Sequence, residues 1–235
     1  MNIVVPLDGA GTVSDGFSKK PKYLVELKGQ PLINWMLNGC GNSNVYFVTW
    51  RRDFDKYRLA EIIKRTTRYK FILGERRSLG DAHAVVSCRY YVDNDDPLII
   101  VNPSYLTSST LKPLIEEGPE TKSTAVVLTA QQCICGSPPF YAGLRRDNTL
   151  SYMTTSLSDT IFAGASYWNY GWTFVKYAEQ LFKANPKAGK YHVEDVLNRV
   201  VMDHRQVDTY NVDFVSYIQR RCHIKMIETH LWGSR

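Results

Sequence analysis

The apolar positions of the first hundred residues gather into four short runs, 3–6, 45–49, 70–73 and 98–101, each too uniformly apolar to have one wet face. Such runs are strands buried on both sides, as in a parallel sheet covered by helices. Between them apolar residues return at helical spacing over 31–38, 57–65 and 80–91, the first opening on Pro31, which suits a helix start. This alternation predicts an α/β fold with a Rossmann-like, mixed but mostly parallel sheet flanked by helices. The second half mixes types, with strands expected over 124–129, 140–144, 150–153, 161–168 and 207–212 and helices over 170–183 and 192–202. Beyond Cys222, the spacing of Ile224, Met226, Thr229 and Leu231 reads as an added strand.

The 235 residues are enough for one domain with a substantial core, and no apolar run approaches the ~20 residues that span a bilayer. No basic, then apolar, leader opens the chain, and five scattered cysteines (40, 88, 133, 135, 222) make no disulfide framework, so a reducing cytoplasm is expected. Cys133 and Cys135 form a lone C-x-C, which fits packed thiols better than a zinc site. The net charge of +6 is spread over arginine pairs rather than gathered in one block, which favours anionic small molecules, phosphates above all, over nucleic acid.

In open α/β sheets ligands collect beyond the carboxyl ends of the strands, which singles out three loops. After the first strand come Leu7, Asp8, Gly9, Ala10, Gly11 and Thr12, with Lys22 close behind. Glycine amides there can form a concave anion site and the lysine adds a point charge, although Gly9 and Gly11 also suit an ordinary turn. After the third strand come Glu75, Gly80, Asp81 and His83, and after the fourth Asn102 and Ser104. The acidic run 93–96 precedes a strand and so belongs to the opposite end, as a solvated turn; the aromatic cluster 167–174 reads as core.

These segments, in this order, resemble the sugar-phosphate nucleotidyltransferase family over residues 1–217. Residues 6–12 resemble its P-x-A-G-x-G-x-R start, 21–25 its P-K-P-L-[IV], 29–33 its G-x-P-[LM]-I and 80–85 its G-T-A-x-A-[VL]. Residues 98–102 resemble the strand before its metal-binding aspartate, 162–164 its A-x-x-G segment and 189–196 its G-E-[FY]-x-V-x-x-V. The resemblance implies a single domain of the glycosyltransferase-A type, with 1–105 taking the nucleotide, 106–221 the acceptor, and 222–235 a tail without an assigned role. It implies transfer of a nucleoside monophosphate from an NTP to a sugar phosphate, a polyol phosphate or a similar metabolite, with release of pyrophosphate. Such a product would serve capsule or surface polysaccharide synthesis, and Mg²⁺ or Mn²⁺ would assist. No nucleic acid or membrane partner is implied, and homo-oligomerisation stays open. Lys22 is then the catalytic cation, Glu75 and the backbone near Gly80 read the base, and Ala142, Gly143, Ala163, Gly164 and Glu194 line the acceptor pocket.

Three positions depart from the family pattern. Val13 stands where the family carries arginine, and Ser104 where it carries the metal-binding aspartate. Residues 210–217 lack the Gly-Thr-Pro that follows its second metal-binding aspartate, which leaves Asp213 as a nearby candidate. Asp8, and beyond it Asp15 or Asp81, are further candidates for a displaced ion. These departures keep two alternatives open: an inactive nucleotide-binding or regulatory paralogue, and a glycosyltransferase on the same type of sheet, which lacks the expected D-x-D after a strand.

Overall fold

The computed structural model describes residues 1–8, 11–14, 19–37, 40–63, 68–109 and 111–233. Nine strands among them share one sheet: β1 (Asn2–Pro6), β2 (Asn44–Trp50), β3 (Arg68–Gly74), β4 (Leu98–Val101), β5 (Ala125–Ala130), β6 (Tyr141–Leu144), β7 (Leu150–Thr154), β8 (Ile161–Trp168) and β9 (Val207–Val212). β2 and then β3 lie parallel on one side of β1, and β4 lies parallel on the other. β8 runs antiparallel beside β4; β5 pairs antiparallel with β8 and carries parallel β9 outside it. The β6–β7 hairpin joins at the start of β8, where Tyr141 faces Ile161. The order of parallel strands reverses between β1 and β4, which makes their carboxyl ends the switch point where a crevice forms.

Four helices pack around the sheet and the crevice: α1 (Asp81–Ser87), α2 (Gly171–Ala184), α3 (Val193–Met202) and α4 (Arg221–Trp232). Ala82 and Ala84 on α1 are fully buried, and their small side chains let the helix backbone lie close on β1 and β2. The main core runs along both faces of the sheet and includes Phe47, Tyr167, Trp168 and Phe174, all fully buried. Each large apolar side chain buried there stabilises the fold by ~2–3 kcal/mol of transfer free energy before entropy is counted. A second apolar cluster, Val13, Leu27, Leu32, Leu106, Cys135, Ile218 and Ile227, lies under α4.

The expected mixed, mostly parallel sheet is therefore present, with three local corrections. The tail is a helix: Ile224, Ile227 and Leu231 recur at spacings of three and four, and they form the face that packs on the second cluster, whereas Met226 is 48% exposed. The helix expected over 57–65 begins earlier, as Arg51–Tyr57, then breaks at Arg58 with φ 51° before a short Leu59–Ile62 turn. The helix expected over 80–91 is interrupted at Cys88 and resumes as Arg89–Val92. The acidic run lies at the amino end of β4, where Asp93 pairs with Arg89 and Asp95 accepts a hydrogen bond from the Trp172 indole.

Candidate active site at the sheet switch point

The loop leaving β1 is fastened by its own acid. Asp8 Oδ1 accepts a hydrogen bond from the Trp50 amide at 2.8 Å, and Oδ2 accepts from the amide and hydroxyl of Ser78 at 3.1 Å each. One carboxylate thus ties together the ends of β1 and β2 and the loop after β3, with both oxygens used. That is a structural employment for the residue expected as a metal candidate. Gly9, Ala10 and Asp15 lie outside the described residues. Leu7 is buried, and Thr12 is exposed, opposite Pro21 in the short Thr12–Ser14 and Lys19–Pro21 ladder.

Lys22 sits directly behind this turn. Its amide donates to the Gly11 carbonyl at 3.2 Å, and its side chain packs on the Gly11 backbone. The ammonium donates to the Tyr217 hydroxyl at 3.2 Å and lies 4.3 Å from that ring's centre. The residue is 8% exposed, and burial lowers its pKa from 10.5 to about 8. No carboxylate partners it among the hydrogen bonds and ion pairs of the described residues. Tyr217 belongs to a two-stranded ladder, Val215–Tyr217 on Tyr105–Thr107, and packs tilted against Tyr105 with ring centres 4.8 Å apart. The Tyr105 hydroxyl is buried with no hydrogen-bond partner among the described residues, and burial holds it strongly neutral.

The loops after β3 and β4 close the other walls. Gly80 adopts φ +95°, and a side chain there would collide with the Tyr191 carbonyl, so only glycine lets the start of α1 dock on the start of α3. The backbone is stitched across that contact by Tyr191 to Leu79 and Ala82 to Tyr191 hydrogen bonds. Asn102 donates its amide to the Gly164 carbonyl at 2.8 Å, and its side-chain oxygen accepts from the Ser104 amide at 3.0 Å. Gly164, at φ +83°, lets the Tyr105 ring lie flat on its backbone, which a Cβ would prevent. Pro6, Asp81, Asn102, Phe162, Gly164, Ser166 and Glu194 line one small cavity there.

Glu194 is the most unusual group in that cavity. It is 1% exposed, and its Oε2 has no hydrogen-bond partner among the described residues; burial first, then the neighbouring Asp81 carboxylate, push its pKa well above the carboxylate range. Asp81 Oδ1 accepts from the Val193 amide at 3.0 Å and lies 3.6 Å from His192 Nδ1. Hydrogen bonding to Asp81 raises the pKa of His192. Ligand atoms of Asp81, His192 and Glu194 all lie within 4.8 Å of one another.

Other expected site residues are distributed differently. The Glu75 side chain is 84% exposed and pairs with Arg51 at 3.5 Å, at the rim of the crevice. Ala142, Gly143 and Ala163 are buried in β6 and β8, and Gly143 packs against the Tyr152 ring. Ser104 is buried, and its carbonyl accepts from the Ile218 amide; it brings no carboxylate to the position. Asp213 is exposed beyond β9, with its amide on the Ser108 hydroxyl. Val13 faces the apolar cluster under α4, so the position that would carry arginine is here part of the packing of that helix. Sequence reasoning missed Tyr105, Tyr217 and the Asp81–His192 contact. Both contacts, Tyr105 with Tyr217 and Asp81 with His192, join residues about 110 apart in the chain that only the tertiary fold brings together.

Three proteins of known structure share this architecture. The inositol-1-phosphate CTP transferase of T. maritima superimposes with a TM-score of 0.74 at 13% identity, over 100% of this chain and 98% of that one. A nucleoside-diphosphate-sugar pyrophosphorylase from Vibrio cholerae RC9 gives 0.71 at 13%, over 97% and 99%. The chain has the fold of the sugar-phosphate nucleotidyltransferases. HddC from Yersinia pseudotuberculosis complexed with GMP-PN gives 0.72 at 14%, over 97% and 98% of the two chains. In sequence, the bifunctional protein GlmU of Thermosipho africanus is 24% identical over 221 residues, 91% of this chain and 47% of that protein. The GlmU of Thermosipho melanesiensis is 27% identical over 136 residues, 57% of this chain and 28% of that protein. The chain thus spans about half or less of the curated relatives it matches, and no family model matches it. Among the described residues no helix is long and apolar enough to cross a membrane.

Proposed function

We propose that the nucleotidyltransferase fold is used here for its usual chemistry: transfer of a nucleoside monophosphate from an NTP to a phosphorylated sugar or polyol, with release of pyrophosphate. Residues 1–105 take the nucleotide, and 106–221 take the acceptor. The observation that carries the reading is Lys22, a buried ammonium with no carboxylate partner among the described residues, held on Tyr217 beside the Gly11 turn. A phosphate oxygen of the acceptor attacks the α-phosphorus, and the bond from that phosphorus to the bridging oxygen of pyrophosphate breaks. Transfers of this type are governed by positioning and charge neutralisation. Lys22 and the turn amides meet the negative charge that grows on the departing pyrophosphate; Gly164, on β8, supports the acceptor. A divalent ion, when bound, adds charge neutralisation at the phosphates, and Asp81, His192 and Glu194 are the residues that would hold it.

A product of this reaction would feed capsule or surface polysaccharide synthesis in the cytoplasm, a compartment in keeping with five free thiols. Val13 and Ser104 favour a second reading, a paralogue that keeps nucleotide binding without transfer. The two separate in one assay, in which the purified chain is mixed with each NTP, Mg²⁺ or Mn²⁺ and a panel of phosphorylated sugars and polyols. The first reading expects pyrophosphate release with one NTP–acceptor pair. Calorimetric nucleotide binding with no release from any pair would establish the second in its place.

A further inference from the structure

We propose that Asp81, His192 and Glu194 form a site for one divalent first-row transition ion of the Mn²⁺ class, set at the junction of α1 and α3. Glu194 motivates it. A carboxylate 1% exposed, with one oxygen lacking a hydrogen-bond partner among the described residues, is costly to bury unless something positive or protic meets it. The nearest candidate ligands complete a set of three whose atoms lie within 4.8 Å of one another, with His192 Nδ1 and Asp81 Oδ1 at 3.6 Å. An ion with bonds of ~2.0–2.2 Å spaces its ligands about 3 Å apart when adjacent and about 4.3 Å when opposite. The 3.6 Å between His192 Nδ1 and Asp81 Oδ1 is within about 0.6 Å of the spacing of adjacent ligands.

The ligands are also held in place from behind. Asp81 Oδ1 accepts from the Val193 and Ala82 amides at 3.0 and 2.9 Å, which leaves Oδ2 unconstrained by them. The His192 amide is fixed on Asp195 Oδ2 at 3.0 Å, and support of this kind orients a ligand set. Two helix N-termini meet here and by themselves favour an anion, but two carboxylates at the same point reverse the sign. Imidazole in the set shifts preference away from Mg²⁺, which takes oxygen ligands, toward Mn²⁺ and its neighbours. The cavity that Glu194 and Asp81 share with Asn102 and Gly164 would leave the ion's remaining positions facing the crevice. The inference deepens the transferase reading, since it moves the ion from the position of Ser104 to another set of residues.

The test is Mn²⁺ titration of the purified full chain without nucleotide, read by loss of the free-ion EPR signal and by melting temperature. Saturable binding of one ion per chain is expected, with ten-fold or greater weakening in Glu194→Gln and in His192→Ala, no change in Asp93→Asn, and a Mn²⁺-induced rise in melting temperature seen only where binding is kept. Glu194→Gln preserves size, and His192 is partly exposed, so both variants should fold, which their melting curves without ion check. Absence of saturable binding up to millimolar Mn²⁺, or equal binding by wild type and both variants, would overturn the site. Pyrophosphate release by a chain that binds no Mn²⁺ would overturn the site and leave the transferase reading standing.

Discussion

Lys22 and Asp8 sit on the same loop system, and their environments call for opposite consequences on mutation. Burial lowers the pKa of Lys22 to about 8 from 10.5. Between those values the unfolded chain holds more protons than the folded one, so stability from this group rises with pH across that window. Below pH 8 the cost of burying the ammonium is fully present. Lys22→Met is therefore expected to raise Tm at pH 7 by about 2–4 °C, the shift that ~1 kcal/mol gives in a domain of this size. The gain should shrink as pH climbs past 8 toward 10.5; an unchanged or lowered Tm at pH 7 counts against a desolvated ammonium. In the wild type, kcat/KM should fall above an inflection near pH 8, because that ratio reports the free enzyme's ionisations. Asp8→Ala leaves the Trp50 and Ser78 amides without their acceptor and should cost about 3 kcal/mol in chemical denaturation. A loss under 1 kcal/mol would show that the three strand ends hold together without it.

The central strands were legible because each is a short apolar run, and β1 and β4 are buried along their whole length, whereas β3 at the sheet edge is only half-buried. Helix ends were less so. Arg58 adopts a left-handed conformation that no local signal in Tyr57-Arg58-Leu59 requires, and the tail's apolar residues fit a two-residue period as loosely as a helical one until Met226 is seen to be exposed. The α4 helix explains a departure that looked like a defect. Val13, in the position of a family arginine, packs with Ile227, Ile218 and Leu27 in the cluster that this helix covers. Ile227→Ala removes a fully buried side chain and should destabilise the chain by about 2–4 kcal/mol. Equilibrium urea unfolding measures it, and a near-neutral result would mean that α4 is not an integral part of the fold.

Across the whole molecule, the crevice exists because strand order reverses between β1 and β4, and this reversal gathers three loops that lie far apart in the chain. The loops themselves could be named from sequence, since each follows a strand; what they do to one another could not. Ser104 and Asn102 were legible as residues after β4, yet the Tyr105–Tyr217 ladder that supports Lys22, and the meeting of Asp81 with His192 and Glu194, are products of tertiary pairing. The likeness to solved nucleotidyltransferases settles the architecture at 13–14% identity and leaves the chemistry to this chain's own residues. The most direct test is therefore pyrophosphate release by wild type and Lys22→Ala, at saturating NTP and acceptor, with circular dichroism to confirm that both are folded. The account predicts release by the wild type and a fall of about 100-fold or more in the variant, as expected for loss of a group that stabilises the developing charge. Release by Lys22→Ala at the wild-type rate would contradict it.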